Sequence, residues 1–232
     1  MGETAVSGQR ITKNQKKEKT MLTVKTFTVN TFHENTYLLY DDTKEAVIID
    51  CGCHTQEEER EFSGFIDKMG LQPKYLLCTH LHLDHILGNA FIRNTYGLSP
   101  HAHRVETEKV PGAMEQARYL RMNLRPREVA VETDLVGGSI IRFGKTELRC
   151  ILVPGHSPGS LAFYNEQYRY LFSGDTLFAG GIGRADLWAG NEELLVAAIK
   201  EKLLCLPDET IVYPGHGTRT TIFGEKNYNP FL

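Results

Sequence analysis

Four side chains able to bind a cation fall within six residues, His80-Leu81-His82-Leu83-Asp84-His85, directly after the apolar run Tyr75-Leu76-Leu77-Cys78-Thr79. Along an extended strand, residues two apart share a face, so His80 and His82 are expected to aim at one point. Where the strand gives way to a turn or helix, Asp84 and His85 swing toward a neighbouring point. Imidazole nitrogens with a carboxylate oxygen are the ligands of zinc or a similar divalent ion. Three more turns repeat the layout of a short apolar strand, a glycine and one ligand. Cys150-Ile151-Leu152-Val153 leads to Pro154-Gly155-His156, Tyr170-Leu171-Phe172 to Ser173-Gly174-Asp175, and Ile211-Val212-Tyr213 to Pro214-Gly215-His216. One His beside a Gly is most often a turn residue; three such turns and the hexad together form a metal-binding constellation.

The elements that must position these turns are legible in outline. Strands are expected over 22–29, 36–40 and 46–50 from alternation and β-branched content. Thr55-Gln56-Glu57-Glu58 is a capping box that opens a helix, Phe62, Phe65, Ile66 and Met69 recur at helical spacing, and Gly70 ends it. A strand over 74–78 delivers the hexad, and a short helix is expected over 86–95. Residues 104–125 have helix-forming composition broken by Pro111-Gly112, and Ala113–Met122, with Tyr119, is the expected pocket wall. Strands follow at 139–143, 147–153, 160–164 and 169–172, a helix capped by Asn191 runs from Glu192 to Leu204, and strand 210–213 delivers His216. This order fits two mixed sheets packed face to face with helices outside.

Bulk composition excludes several classes of function. The 232 residues are 41% hydrophobic, enough for one sizeable core, with 26 Lys and Arg against 29 Asp and Glu and a net charge of −3. That slight acidity gives no footprint for nucleic acid or an anionic membrane. No run of apolar residues is long enough to span a bilayer, and no signal peptide is visible. Five cysteines at 51, 53, 78, 150 and 205 lack a compact disulfide spacing, so a reduced, cytoplasmic setting is expected. Cys51-Gly52-Cys53 reads as a turn rather than half of a metal motif, with Cys53 a candidate neighbour of the site. Residues 1–20, with Lys13, Lys16, Lys17 and Lys19, read as a disordered extension, and 21–232 as the catalytic domain.

Taken together, Thr79–His85, Gly155-His156-Ser157, Gly174-Asp175-Thr176 and Gly215-His216-Gly217 resemble the metallo-β-lactamase superfamily, and within it the glyoxalase II-like, hydroxyacylglutathione hydrolase-like branch of short single-domain members. The resemblance spans roughly 22–232 and includes Ser173–Leu187 and the tail Tyr213–Leu232. It implies an α/β (α+β) fold, an αββα sandwich with every ligand turn on one edge. It implies a pair of divalent ions, zinc first with iron or manganese compatible. His80, His82 and His156 would hold the first, Asp84, His85 and His216 the second, and Asp175 would bridge them. Asp84 and Asp175 would then be catalytic, and hydroxide generated between the ions would cleave a small-molecule thioester such as S-D-lactoylglutathione or a related acyl-thiol.

Arg184 matches the family's basic residue near the thiol moiety, but Asp186 stands where an aromatic is usual, and 16 residues follow His216 in place of a helical extension. Tyr119 is the other candidate substrate contact. The rival reading is a mononuclear iron persulfide dioxygenase of the same superfamily, with His80, His156 and Asp175 as its two-His-one-carboxylate set. A β-lactamase is less favoured, because the classical arrangement has Cys where Asp175 stands. A superfamily nuclease would need an insertion and a basic surface. The oligomeric state is not readable from the chain.

Overall fold

In the computed structural model, which describes residues 21–232, two mixed sheets pack face to face between helices. The segment 1–20 lies outside the described residues. The first sheet runs β1 (Thr23–Val29), β2 (Glu34–Tyr40), β3 (Glu45–Ile49), β4 (Gln72–Leu77) and β5 (Pro100–His101), in spatial as in chain order. Its first three strands are antiparallel and its last three parallel. The second sheet contains β6 (Ile140–Phe143), β7 (Thr146–Leu152), β8 (Leu161–Asn165), β9 (Tyr170–Gly174), β12 (Ile211–Pro214) and β13 (Thr220–Thr221), in the order β13-β12-β9-β8-β7-β6. A two-stranded ribbon, β10 (Leu177–Phe178) with β11 (Gly181–Ile182), follows the Asp175 turn.

Side-chain alternation builds three layers of core from this pair of sheets. Tyr37, Leu39, Val47, Ile49 and Leu77 face inward from the first sheet and meet Leu148, Cys150, Leu161, Phe163 and Phe172 of the second. The intervening residues Leu38, Ile48 and Leu76 face outward. They are covered by Phe62 and Ile66 of α1 (Gln56–Met69) and Phe91 and Ile92 of α3 (Asn89–Tyr96). On the far side Ile151, Ala162, Leu171 and Val212 pack against Leu195 of α6 (Glu192–Ala198), Ile199 and Leu203 of the π-helical turn that continues it, and Ile222 of α7 (Ile222–Tyr228). Both sheets are thus buried on both faces, which is why their central strands read as near-continuous apolar runs.

The caps follow local chemistry. Thr55 accepts from the Glu58 N–H while the Glu58 side chain reaches back to the Thr55 N–H, and Gly70 closes α1 at φ 63°. Asn191 caps α6 through the Leu194 N–H. Between the sheets' partners lie α2 (Leu83–Ile86), α4 (Arg104–Lys109) and α5 (Ala113–Tyr119), with Pro111-Gly112 separating the last two. Two expectations shift. The helix after the hexad begins three residues early, inside it, and β4 stops at Leu77, so His80 and His82 lie on a loop rather than on strand alternation. Among the described residues, no helix is long and apolar enough to cross a membrane.

Since β7 and β8 are antiparallel, as are β8 and β9, while β9 and β12 are parallel, the strands β7, β9 and β12 all end at one rim. The end of β4 joins that rim through the Leu161 N–H, which donates to the Thr79 carbonyl at 2.7 Å. Four ligand-bearing turns therefore converge at one edge of the sandwich.

Candidate metal centre

Two clusters of potential ligands form at this edge. The ligand atoms of His80, His82 and His156 lie within 4.8 Å of one another, and so do those of Asp84, His85 and His216. Asp175 stands between them. Its Oδ1 is 3.3 Å from His85 Nε2, and its Oδ2 is 3.5 Å from His216 Nε2 and 3.8 Å from His156 Nε2. Asp84 Oδ2 is 3.1 Å from His216 Nε2 and 3.7 Å from His85 Nε2. All seven residues singled out in the sequence as ligands are brought together.

The tautomers of four imidazoles follow from what their Nδ1 atoms touch. His156 Nδ1–H donates to the Arg184 carbonyl at 2.7 Å, and His216 Nδ1–H to the Phe32 carbonyl at 3.1 Å. His85 Nδ1–H donates to Asp50 Oδ2 at 3.0 Å. Thr79 Oγ1 donates to Asp50 Oδ2 at 2.8 Å, which leaves it to accept from His80 Nδ1–H at 3.0 Å. Each Nε2 is left as a bare lone pair pointing into the site. His80 Nε2 and His156 Nε2 then face each other at 3.1 Å, two acceptors with no proton between them.

His82 Nε2, His85 Nε2 and Asp175 Oδ1 are buried without a hydrogen-bond partner. Buried lone pairs facing one another are costly unless a cation sits among them, so the donor set fits divalent metal. Electrostatics agree. Burial pushes His80 and His82 down, His82 to about 3, and neighbouring histidines push the same way, which keeps both neutral and able to ligate. Burial opposes ionisation of Asp175, yet positive charge on the facing side, supplied foremost by His85 when its imidazole is protonated, holds it well below the ordinary carboxylate range; a bound cation would supply the same charge and leave His85 neutral.

The scaffold behind the ligands was not foreseen in the sequence. Asp50 ends β3 at φ 52° and also accepts from the Thr79 N–H at 2.7 Å, so one carboxylate orients both His80, through Thr79, and His85. Glu34 is fully buried with Oε1 3.9 Å from His85 Nδ1, and burial raises its carboxyl well above the usual range. Glu106 is fully buried and accepts from the Leu81 N–H at 2.9 Å, the Gly159 N–H at 2.6 Å and Ser157 Oγ at 2.7 Å, tying the hexad to the His156 turn. Gln116 accepts from the Leu83 N–H at 2.9 Å and donates to the Leu81 carbonyl at 2.7 Å. The residues between the ligands are thereby pinned, in place of strand pairing. A Cβ on Gly215 would collide with Asp175 Oδ1, so the backbone must approach bare.

The remaining expectations fall outside the ligand clusters. Cys51 and Cys53 pack into the outer core of the first sheet, and all five cysteines are free thiols. The Cys51 N–H donates to the His85 carbonyl at 2.9 Å, so this turn braces α2 through backbone. Arg184 touches the site with its carbonyl, while its guanidinium turns to Asp186. Tyr119 is 65% exposed, with its ring 5.7 Å from that of Trp188, which lies 5.2 Å from the ring of His82.

The fold agrees with what comparison with known proteins finds. Residues 29–216 match the family model of the metallo-β-lactamase superfamily, and the chain belongs to that superfamily. The hydroxyacylglutathione hydrolase GloC of Haemophilus influenzae is 36% identical over 88% of this chain and 95% of its own. The human mitochondrial persulfide dioxygenase ETHE1 is 31% identical over 85% of this chain and 70% of its own. Among solved structures, the B3 metallo-β-lactamase BLEG-1 aligns with TM-score 0.79 and 36% identity over 91% of this chain and 99% of that one. TTHA1623 in a di-iron-bound form aligns with TM-score 0.79 and 34% identity over 90% of this chain and all of that one.

Proposed function

We propose that the protein is a dinuclear metallohydrolase that cleaves a thioester to a carboxylate and a free thiol. The observation that carries this reading is the placement of Asp175, with one carboxylate oxygen toward His85 and the other toward His156 and His216. Two cations held close together need a shared anion, and Asp175 stands where one would serve both clusters. His80, His82 and His156 would hold the first ion, and Asp84, His85 and His216 the second. When bound, such a pair supplies a water of lowered pKa and an electrophile for the carbonyl oxygen. Zinc, iron and manganese all suit these donors, and the di-iron form of TTHA1623 shows one such occupancy in a similar protein.

The chain's own groups do the rest. Asp50 and the Arg184 and Phe32 carbonyls fix the tautomers, so the imidazoles present lone pairs without rearrangement. Asp84 would serve the second ion through Oδ2, the oxygen that lies beside His216. A thiolate is already a good leaving group near neutral pH, so the thioester needs no strong protein acid. That suits a site whose polar side chains are nearly all ligands. The similarity to GloC supports the same reaction class.

A second reading draws on the similarity to ETHE1: one iron and persulfide oxidation. Metal analysis of the native protein, paired with thioester hydrolysis with and without oxygen, separates the two. Two ions per chain and oxygen-independent hydrolysis are expected. One iron per chain, unchanged by His216→Ala, with oxygen uptake on a persulfide, would favour the dioxygenase. A β-lactam substrate belongs in the same assay, given the likeness to the lactamase BLEG-1.

A further inference from the structure

A row of aromatic rings leads from the first ligand cluster to solvent. The His156 ring lies 4.5 Å from that of His82, His82 lies 5.2 Å from Trp188, and Trp188 lies 5.7 Å from Tyr119, each pair tilted or edge-on. Trp188 is half-buried and Tyr119 is largely exposed at the outer end. The indole is built into place. Trp188 and Ala189 both adopt positive φ, 26° and 62°, and the turn is closed by the Gly190 N–H donating to the Leu187 carbonyl at 2.7 Å. A further bond from the Asn191 N–H to the Gly155 carbonyl, also 2.7 Å, ties this turn to the one that carries His156. The inner part of the indole packs on the small cluster of Cys78, Leu81, Ala102 and Val110, and the strained backbone turns its ring toward the ligand cluster.

The positive charge beside this row is closed. The Arg184 carbonyl borders the first cluster, but its guanidinium donates through Nε to Asp186 Oδ1 at 2.6 Å and through Nη2 to Asp186 Oδ2 at 2.7 Å. Both oxygens of Asp186 and one whole edge of the guanidinium fork are occupied, and the charges cancel. A substrate carboxylate arriving there meets Asp186 as a like charge and must displace it from a partner two residues away.

We propose that the ring row of Trp188 and Tyr119 receives the thiol moiety of the substrate, and that this subsite takes an uncharged aromatic or apolar thiol in preference to a carboxylated one such as glutathione. The proposal deepens the thioesterase reading and rests on it for the identity of the bound group.

Trp188 is the only tryptophan in the chain, so its emission reports occupancy of the subsite directly. The metal-loaded protein is titrated with benzyl mercaptan and, separately, with glutathione, following that emission. Both offer a thiol to the ions, so a difference in affinity falls on the rest of each molecule. Benzyl mercaptan should perturb Trp188 and bind about tenfold more tightly than glutathione, the factor of one well-stacked ring. Tyr119→Ala, at an exposed position that leaves the probe in place, should weaken benzyl mercaptan about tenfold and leave glutathione unchanged. Asp186→Asn should release Arg184 and tighten glutathione. The proposal is overturned if neither thiol perturbs Trp188, or if glutathione binds the wild type as tightly as benzyl mercaptan and Arg184→Ala weakens it. Binding is read without turnover, so failure of the hydrolase reading would show separately, as absence of thioester cleavage with the binding order intact.

Discussion

At the scale of single residues, the site is organised by what lies behind each imidazole. His80, His85, His156 and His216 are held by their Nδ1 atoms, so the Nε2 lone pairs converge whether or not the protein is at work. Asp175 differs from the other candidate ligands in facing histidines of both clusters, His85 and His216 of the second and His156 of the first. Asp175→Ala should therefore lower thioester turnover by roughly a thousandfold, more than His85→Ala, because it removes charge neutralisation from both ions. Equal residual rates at matched metal loading would rule out the bridging role. Gly215→Ala should be comparably damaging although it removes no ligand, since the added methyl collides with Asp175 Oδ1. A crystal structure of that variant with an undisplaced Asp175 would contradict the steric argument. The ligand identities were readable as residue types following apolar runs. Asp50, Glu34 and Glu106 were not, because a buried carboxylate gives no spacing signal until the chain folds around it.

Among the elements, two buried acids act as ties. Glu106, on α4, joins the hexad to the His156 turn, which places all three histidines of the first cluster. Glu106→Gln puts an NH2 where one oxygen accepts, so it loses either the Leu81 or the Gly159 bond, and should reduce metal affinity at the first cluster roughly 10–100-fold while sparing the second. Chelator competition followed site by site with cobalt absorption measures this; equal loss at both clusters would refute a local role. Asp41, just after β2, ties the opposite end of the sandwich. Its carboxylate accepts from the Lys145 N–H at 2.7 Å and Thr146 Oγ1 at 3.0 Å across the sheets, and from the Thr43 N–H at 3.0 Å. Burial pushes this carboxyl up, but the bonds from Thr43, Lys145 and Thr146 outweigh it and hold the pKa below the ordinary value. A depressed folded-state pKa gives stability that is present above about pH 4 and lost as pH falls through the folded value. Asp41→Asn should therefore cost about 1–3 kcal/mol near pH 7, and the gap to wild type should narrow below about pH 4 in urea melts. A gap that does not change with pH would show that the ionised form is not the one that matters.

Over the whole molecule, one edge carries dense buried charge while the interior is apolar. Without cations, the facing lone pairs and the neighbouring carboxylates of Asp84 and Asp175 repel, so chelation should lower the melting temperature by several degrees and zinc should restore it. An unchanged melting temperature after verified metal removal would show that the cluster is satisfied by itself. The sequence alone determined the ligand types, the strand-then-ligand layout and the layered architecture. Those follow from local chemistry: alternation of apolar residues, glycine at tight approaches, and the capping box at Thr55. Tertiary structure decided which turns share a rim, that His80 and His82 meet on a loop pinned by Glu106 and Gln116 rather than along a strand, and that Arg184 is paired with Asp186 while Trp188 faces His82. Each of these depends on contacts between segments far apart in the chain, or on where an exposed side chain finds its partner, and neither leaves a period that a linear sequence can display.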